Sequence, residues 1–321
     1  MHKFYNYLNK KMSINYLKRA EIDVLKWNQC VNSNVETAAV FAQHWFLDNH
    51  CKQWHAVVVD DYRAVLPLPI RRKFGINYVY PPFFAARLGF FGDELTQNEI
   101  DAVFDLLAKQ FQWADLFFYS DISYKKEIVV KHKTYVLDLQ ENYNALQKKY
   151  HESHKRNCKK GQAENLKLAF DADPKSIINL FRNNRGKEAS VRYKERDYND
   201  LLNIITLLQT EKAVEVVGVY NADDVLCAGA FFTSWGKKYH FLFSGRSANK
   251  QSRSLYLLVD NFIFHHAGED KLLDFNGSNN SDIARFYAGF GAKETVFSQL
   301  IISRLNTIQR LAFLLKRKFF K

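Results

Sequence analysis

An α/β chain of two core-forming units is the fold class this sequence predicts, and three observations point to it. Its 321 residues exceed the usual size of one domain. β-Branched runs alternate with helical stripes along the whole length, so neither an all-α nor an all-β chain fits. Both halves follow one order of elements (helix, helix, antiparallel strands, helix, strand) without repeating their residues, as a duplicated fold of diverged sequence does.

The first unit is expected over 1–133. Helical patterns at Glu21–Val31 and Phe41–Asn49 precede a β-branched strand, His55–Asp60, a turn at Asp60-Asp61, and a strand from Arg63 to Arg71. Pro67 and Pro69 cannot donate to a ladder, which places that strand at an edge or a bulge. An aromatic strand, Tyr78–Phe91, is broken by Pro81-Pro82. Thr96 starts a helix with Glu99 at capping-box spacing, and Ile100, Val103, Phe104, Leu107 and Phe111 form its apolar stripe. Asp115–Tyr119 closes the unit as a strand.

The second unit, 134–303, opens with a strand at Thr134–Leu139 and a polar helix from Tyr143 to Asn157. A strand at Leu166–Phe170 and helices at Ser176–Asn184 and Tyr198–Thr210 follow. Val214–Tyr220, Val225–Ser234 and Tyr239–Ser244 then read as a meander, with turns at Asn221–Asp224 and Trp235–Lys238. A polar loop, Gly245–Ser252, leads to a long helix, Ser254–Ala267, a strand, Leu272–Phe275, a helix, Ser281–Gly289, and a last strand, Glu294–Ser303. Residues 304–321 form a basic amphipathic tail.

Composition narrows the function classes. Hydrophobic residues make up 47% of the chain and aromatics 15%, with few Gly and Pro, which excludes a disordered protein. Cys30, Cys51, Cys158 and Cys227 lack CxxC or CxxH spacing, so no metal site or disulfide framework is expected and a reducing compartment is. Met1–Arg19 alternates Lys and Asn with Tyr and Leu, and no apolar run reaches membrane-spanning length. The expectation is a cytoplasmic protein, with the inner face of the membrane open to it through the tail.

The net charge of +12 is concentrated. Lys148–Lys160 carries six Lys or Arg against one acid, and Arg304–Lys321 carries six against none. Two patches of this kind suit a phosphate-bearing substrate, a tRNA or an acidic lipid surface; two solvated helix faces without a partner are the alternative. In the tail, Leu305, Ile308, Leu311, Ala312, Leu315 and Phe319 recur at helical spacing, a pattern that fits an anionic membrane surface or docking on the first unit.

A polar loop between a strand and a helix suits an anion, because free backbone N–H groups and the positive helix end converge there. That loop, Gly245-Arg-Ser-Ala-Asn-Lys-Gln-Ser-Arg253, stands with the helix Leu255–Gly268, the segment Leu273-Asp-Phe-Asn-Gly-Ser-Asn279, and Arg285-Phe-Tyr-Ala-Gly-Phe-Gly-Ala292. Together with the basic stretch His154-Lys-Arg-Asn-Cys-Lys-Lys160, these segments resemble the FemAB-like branch of the GNAT N-acyltransferase superfamily. The resemblance covers roughly Thr134–Ser303; before that only the order of elements supports it.

The resemblance implies two tandem GNAT-like domains and transfer of an acyl or aminoacyl group to an amine. It implies that the strands at Tyr239–Ser244 and Leu272–Phe275 splay to hold a carbonyl, which N–H groups at a bulge polarise while the amine attacks directly. Ser244, Arg246, Ser247, Asn249, Gln251 and Ser252 would then bind the donor. Arg182, Arg185, Arg192, Tyr193, Asn276, Arg285 and Phe286 would bind the acceptor, and Tyr287 and Asp274 would be catalytic.

Two departures bear on the donor, for which acyl-CoA and aminoacyl-tRNA both stand. The Gly-rich cradle of acetyl-CoA enzymes is absent, and Tyr287 stands where several tRNA-dependent members carry a lysine. Structural alternatives also stand: Asp274 orienting the helix at Ser281, Arg285 pairing with Asp274 or Asp282, Tyr287 packing, and His265 and His266 complementing a helix end. At the level of function, the alternatives to an aminoacyltransferase acting on an envelope precursor are an acyl-CoA-dependent N-acetyltransferase and a non-catalytic GNAT-like binding protein.

Overall fold

A computed structural model of the chain describes residues 12–305, apart from 74, 86, 189–190, 192, 249–252 and 278–279. It has two compact units, one running to Val130 and taking back the segment from Ser298, the other formed by Lys131–Phe297.

In the first unit β1 (Ile14–Lys18), β2 (Trp54–Val59) and β3 (Ala64–Lys73) pair antiparallel. The strand β1 lies where the sequence reading placed no element. β3 continues into β4 (Ile76–Val79), which meets β6 (Trp113–Phe118) in parallel at Val79↔Ala114. The aromatic segment expected as one strand is not one: only β4 and the short β5 (Phe91–Gly92) pair, because Pro81-Pro82 removes two ladder donors between them. Helix α1 (Val24–Ser33) starts where the Asp23 carboxylate accepts from the Leu25 and Lys26 N–H groups, and its Trp27 packs 5.0 Å from Trp54; α2 (His44–His50) follows it. The capping box at Thr96 and Glu99 starts α3 (Gln97–Gln110), which buries Val103, Phe104 and Leu107 against β2, β3 and β6.

In the second unit the strand order is β7 (Ile128–Asp138), β12 (Leu272–Asp274), β11 (Lys238–Arg246), β10 (Leu226–Trp235), β9 (Val214–Tyr220) and β8 (Lys167–Ala169). Only the β11–β12 contact is parallel. One face packs against α5 (Glu152–Gln162), α8 (Ser254–His266) and α9 (Ser281–Ala288) around Leu257, Phe262, Phe275 and Phe290. The other receives α6 (Pro174–Asn183) and α7 (Glu195–Thr210). The helix expected over Tyr143–Asn157 is two, α4 (Tyr143–Lys148) and α5, because the chain breaks at Lys149–His151 and the His151 N–H donates to Gly289 O at 2.9 Å. The last strand, β13 (Lys293–Ser303), is shared: from Ser298 on it pairs with β6 of the first unit.

One feature of the second sheet fixes where α6 ends. Gly218, Gly229 and Gly245 stand opposite one another across β9, β10 and β11. A Cβ at Gly229 would come 2.3 Å from the Ile177 side chain, and one at Gly245 would come 2.3 Å from the Ile177 carbonyl oxygen. The glycine row therefore lets α6 lie against the sheet backbone and brings Asn184 to the end of β11.

Candidate active site

β11 and β12 run parallel for three rungs, Lys238↔Leu272, Tyr239↔Leu273 and His240↔Asp274. There β12 stops, while β11 continues to Arg246. The chain beyond β12 turns away through Asn276 and Gly277, both at positive φ (61° and 81°). Two strands that part after three rungs leave an open fork. Just beyond it β11 carries one residue more than β10: Phe231 pairs with Phe243 and Phe232 with Phe241, so Leu242 is extra. A bulge leaves backbone donors aimed out of the ladder, as a carbonyl held in the fork requires.

Polar side chains collect at this point. Asp274 is 4% exposed and its Oδ1 accepts from Thr134 Oγ1 and from the Asn276 N–H, both at 2.7 Å. His240, on the same rung, places Nδ1 3.9 Å from Asp274 Oδ2. Tyr287, on α9, stacks on Phe275 with ring centroids 4.7 Å apart and meets Phe241 edge-on. Burial pushes its phenol well above the ordinary tyrosine range; Arg185 counters this and Asp274 adds to it. The phenol is therefore neutral at physiological pH and able to donate.

Arg185 lies in a 3-10 turn, Arg185–Lys187, just past α6; it is half-buried and has no ion-pair partner among the described residues. Tyr193 stacks on Phe181 at 5.7 Å, with its pKa raised by burial and lowered in part by Arg185. Asn184 Nδ2 donates to the carbonyl oxygens of Arg246 and Ser247, at 3.2 Å each, and so ties the turn carrying Arg185 to the exit of β11. The end of α6 and the start of the loop after β11 thus form one frame.

Of the expected donor residues, Ser244 is half-buried on β11, Arg246 is exposed, and the Ser247 N–H donates to Cys227 O at 2.8 Å. Asn249, Gln251 and Ser252 lie outside the described residues, as does Arg192. At the start of α8, the Arg253 N–H donates to Glu164 Oε2 at 3.3 Å and its Nε to Asn157 Oδ1 at 3.0 Å. A carboxylate of the chain itself thus stands beside the helix end where a pyrophosphate was expected. Nearby, α5 buries His154, Cys158 and Gly161 and exposes Arg156, Lys159 and Lys160.

The remaining expected residues are dispersed. Arg285 is 75% exposed and reaches Asp282 at 3.6 Å, not Asp274. Arg182 pairs with Glu195 at 2.6 Å and lies over the Tyr198 ring. Phe286 packs against Tyr256 and Phe290, and its carbonyl oxygen lies 2.9 Å from His154 Nε2. Gly289 of the same motif is needed because a Cβ there would fall 2.0 Å from the His154 ring. His265 bonds the Asn261 carbonyl, while His266 bridges Glu215 and Glu269 instead of merely facing a helix end. Sequence reading missed Thr134, Asn184 and His240. Strand alternation alone puts His240 opposite Tyr239, but nothing local names Asp274 as its neighbour.

No family model and no curated relative matches the sequence. Among solved structures, FemX superposes with a TM-score of 0.63 at 11% identity, covering 90% of this chain and 97% of that one. The chain shares its fold with FemX. A second neighbour is the C-terminal domain of a putative lysylphosphatidylglycerol synthetase from Agrobacterium fabrum, with a TM-score of 0.55 at 12% identity over 91% of this chain and 94% of that one. A conserved protein of unknown function from Bacteroides thetaiotaomicron follows at 0.53 and 6% identity, over 77% and 85%. At such identities the likeness is one of fold.

Proposed function

We propose that this chain is an acyl- or aminoacyltransferase that moves its group onto an amine of a cell-envelope precursor or a similar metabolite. The observation that carries the reading is the fork between β11 and β12 with the Leu242 bulge beside it. In this reading the donor carbonyl lies in the fork and accepts from N–H groups at the bulge, while Asp274 receives the amine. The amine nitrogen attacks the carbonyl carbon directly, the C–N bond forms, the bond to the donor oxygen breaks, and Tyr287 passes its proton to that oxygen and regains one from the nitrogen. Arg185 and Tyr193 bind the acceptor, and Ser244, Arg246 and Ser247 face the donor.

Aminoacyl-tRNA is favoured over acyl-CoA as donor, because glycines are missing from the loop and Glu164 stands beside the start of α8. The exposed Arg156, Lys159 and Lys160 agree with this, and the putative lysylphosphatidylglycerol synthetase among the neighbours agrees with an aminoacyl group. Among the described residues no helix is long and apolar enough to cross a membrane. The tail, which lies outside the described residues beyond Leu305, is proposed to meet an anionic membrane from the cytoplasmic side.

The test pairs thermal-shift titration against acetyl-CoA with electrophoretic retention of aminoacyl-tRNA over a salt series. Retention that falls steeply with salt, with no stabilisation by acetyl-CoA, supports the reading. Stabilisation by acetyl-CoA alone transfers it to an acyl-CoA N-acyltransferase, and silence in both leaves a binding protein.

A further inference from the structure

His240 and Asp274 occupy the last rung before β11 and β12 part. Tyr239 and Leu273 point into the core shared with α8, so their neighbours His240 and Asp274 leave the opposite face, as Thr134 does beside Tyr135. Both side chains are buried, at 2% and 4% exposure. Burying an imidazole beside a carboxylate costs free energy that an apolar pair of similar size avoids, so packing alone does not account for it. One carboxylate oxygen is fixed by Thr134 and the Asn276 N–H. The other lies 3.9 Å from the imidazole, too far for a good hydrogen bond and close enough for the two charges to interact strongly.

We infer that His240 and Asp274 act as one proton-accepting pair at the base of the fork, with Asp274 contacting the acceptor's ammonium and His240 a positioning residue that shares the proton taken from it. The chemistry rests on the transferase reading; the pairing rests on the geometry. An ammonium has no lone pair, and losing one proton to the pair makes it a nucleophile. After the C–N bond forms, the nitrogen's second surplus proton goes to the departing donor oxygen, so one proton stays on the pair and is released to solvent after turnover. Among the described residues, Thr134 from β7 and Thr233 from β10 flank the pair, and Tyr287 from α9 feels the Asp274 charge.

The test needs no substrate. In the full chain labelled with 15N, the ring nitrogens of His240, assigned through His240→Gln, are followed by NMR across pH. Asp274→Asn is expected to lower the His240 midpoint by about one pH unit or more, a tenfold loss of proton affinity. Thr134→Val is expected to raise it, since a carboxylate that loses a hydrogen bond holds the shared proton more tightly. If Asp274→Asn does not fold, the Thr134→Val titration decides; a midpoint unmoved by either folded variant overturns the pair. A second readout is the pH profile of transfer from alanyl-tRNA to a simple amine. The His240→Gln defect should shrink as pH rises through the amine's own pKa, whereas a merely structural defect stays constant. A wild-type chain that transfers nothing while the titrations are coupled defeats the transferase reading and leaves the pair. Uncoupled titrations in a chain that transfers defeat the pair and leave the transferase.

Discussion

Among the described residues each unit has a place where two named strands run parallel only briefly, and the two places are finished differently. In the first unit β4 and β6 share the rung Val79↔Ala114, and the chain then returns to seal the edge: the Leu88 N–H donates to Phe117 O at 3.1 Å and Gly89 lies against the Phe118 backbone. In the second unit β11 and β12 share three rungs and part, and the groups beside the opening include Thr134, His240, Asp274 and Tyr287. One topological feature is thus covered by a returning segment in one case, with the buried Arg87 and Asp115 held by Tyr119 and Gln299, and in the other it opens beside Thr134, His240 and Asp274. A parallel pair that separates is a fold property; the side chains left at the separation make it a candidate for chemistry.

Substitutions on the two sides sharpen this contrast. The largest effect is expected from Asp274→Ala, which should lower kcat/KM for transfer roughly 10²- to 10⁴-fold per folded molecule, with about 1–3 kcal/mol of stability lost because Thr134 and the Asn276 N–H lose their acceptor. Gly89→Ala in the first unit should lower stability by about 1 kcal/mol and leave activity per folded molecule intact. A smaller loss of activity than for Asp274→Ala, with a larger loss of stability than for Gly89→Ala, is expected for Gly245→Ala, whose new methyl meets the Ile177 carbonyl. About 1–3 kcal/mol is expected in denaturant titration, together with weakened acceptor binding, as α6 moves and takes Arg185 with it. Arg185→Ala should raise the acceptor KM about tenfold, near 1.4 kcal/mol, without changing the midpoint; an unchanged KM removes it from the site.

Two further effects concern pH, and they have opposite signs. Burial pushes His50 in the first unit down to about 4, so the folded state resists its protonation. Its contribution is therefore lost as pH falls from the ordinary histidine range toward 4, and His50→Phe should flatten that acid slope. His266 in the second unit is opposed by burial, but its bonds to Glu215 and Glu269 prevail and raise its pKa. Its contribution is fully present below the ordinary histidine pKa and fades as pH rises through the raised value, by less than about 1 kcal/mol given its partial exposure. Thermal midpoints of His266→Gln across pH 5 to 9 check this, and a slope equal to wild type contradicts it.

What was legible in the sequence was local. The Thr96–Glu99 box, the three-strand meander and the helix after the polar loop come from short-range turn chemistry and periodicity, and the structure has them. What escaped depends on distant partners. The break at Lys149–His151 exists because the backbone there meets Gly289, and β13 is divided between units because its end finds β6. The same holds at the site. Asp274 and Tyr287 stand inside motif segments, whereas Thr134 reaches Asp274 from 140 positions away, and Asn184 matters because of a glycine row on three other strands.

The central claim is that the fork at His240 and Asp274 receives the donor carbonyl beside the Leu242 bulge. Amide hydrogen exchange of the full chain, with and without an adenosine carrying alanine through a stable 3′-amide, tests it most directly. Slowed exchange at Leu242 and Phe243 on adding this ligand, retained in Asp274→Ala because Asp274 meets the acceptor and not the donor carbonyl, is the expected result. Protection confined to the first unit, or none at those two amides at saturating ligand, contradicts it.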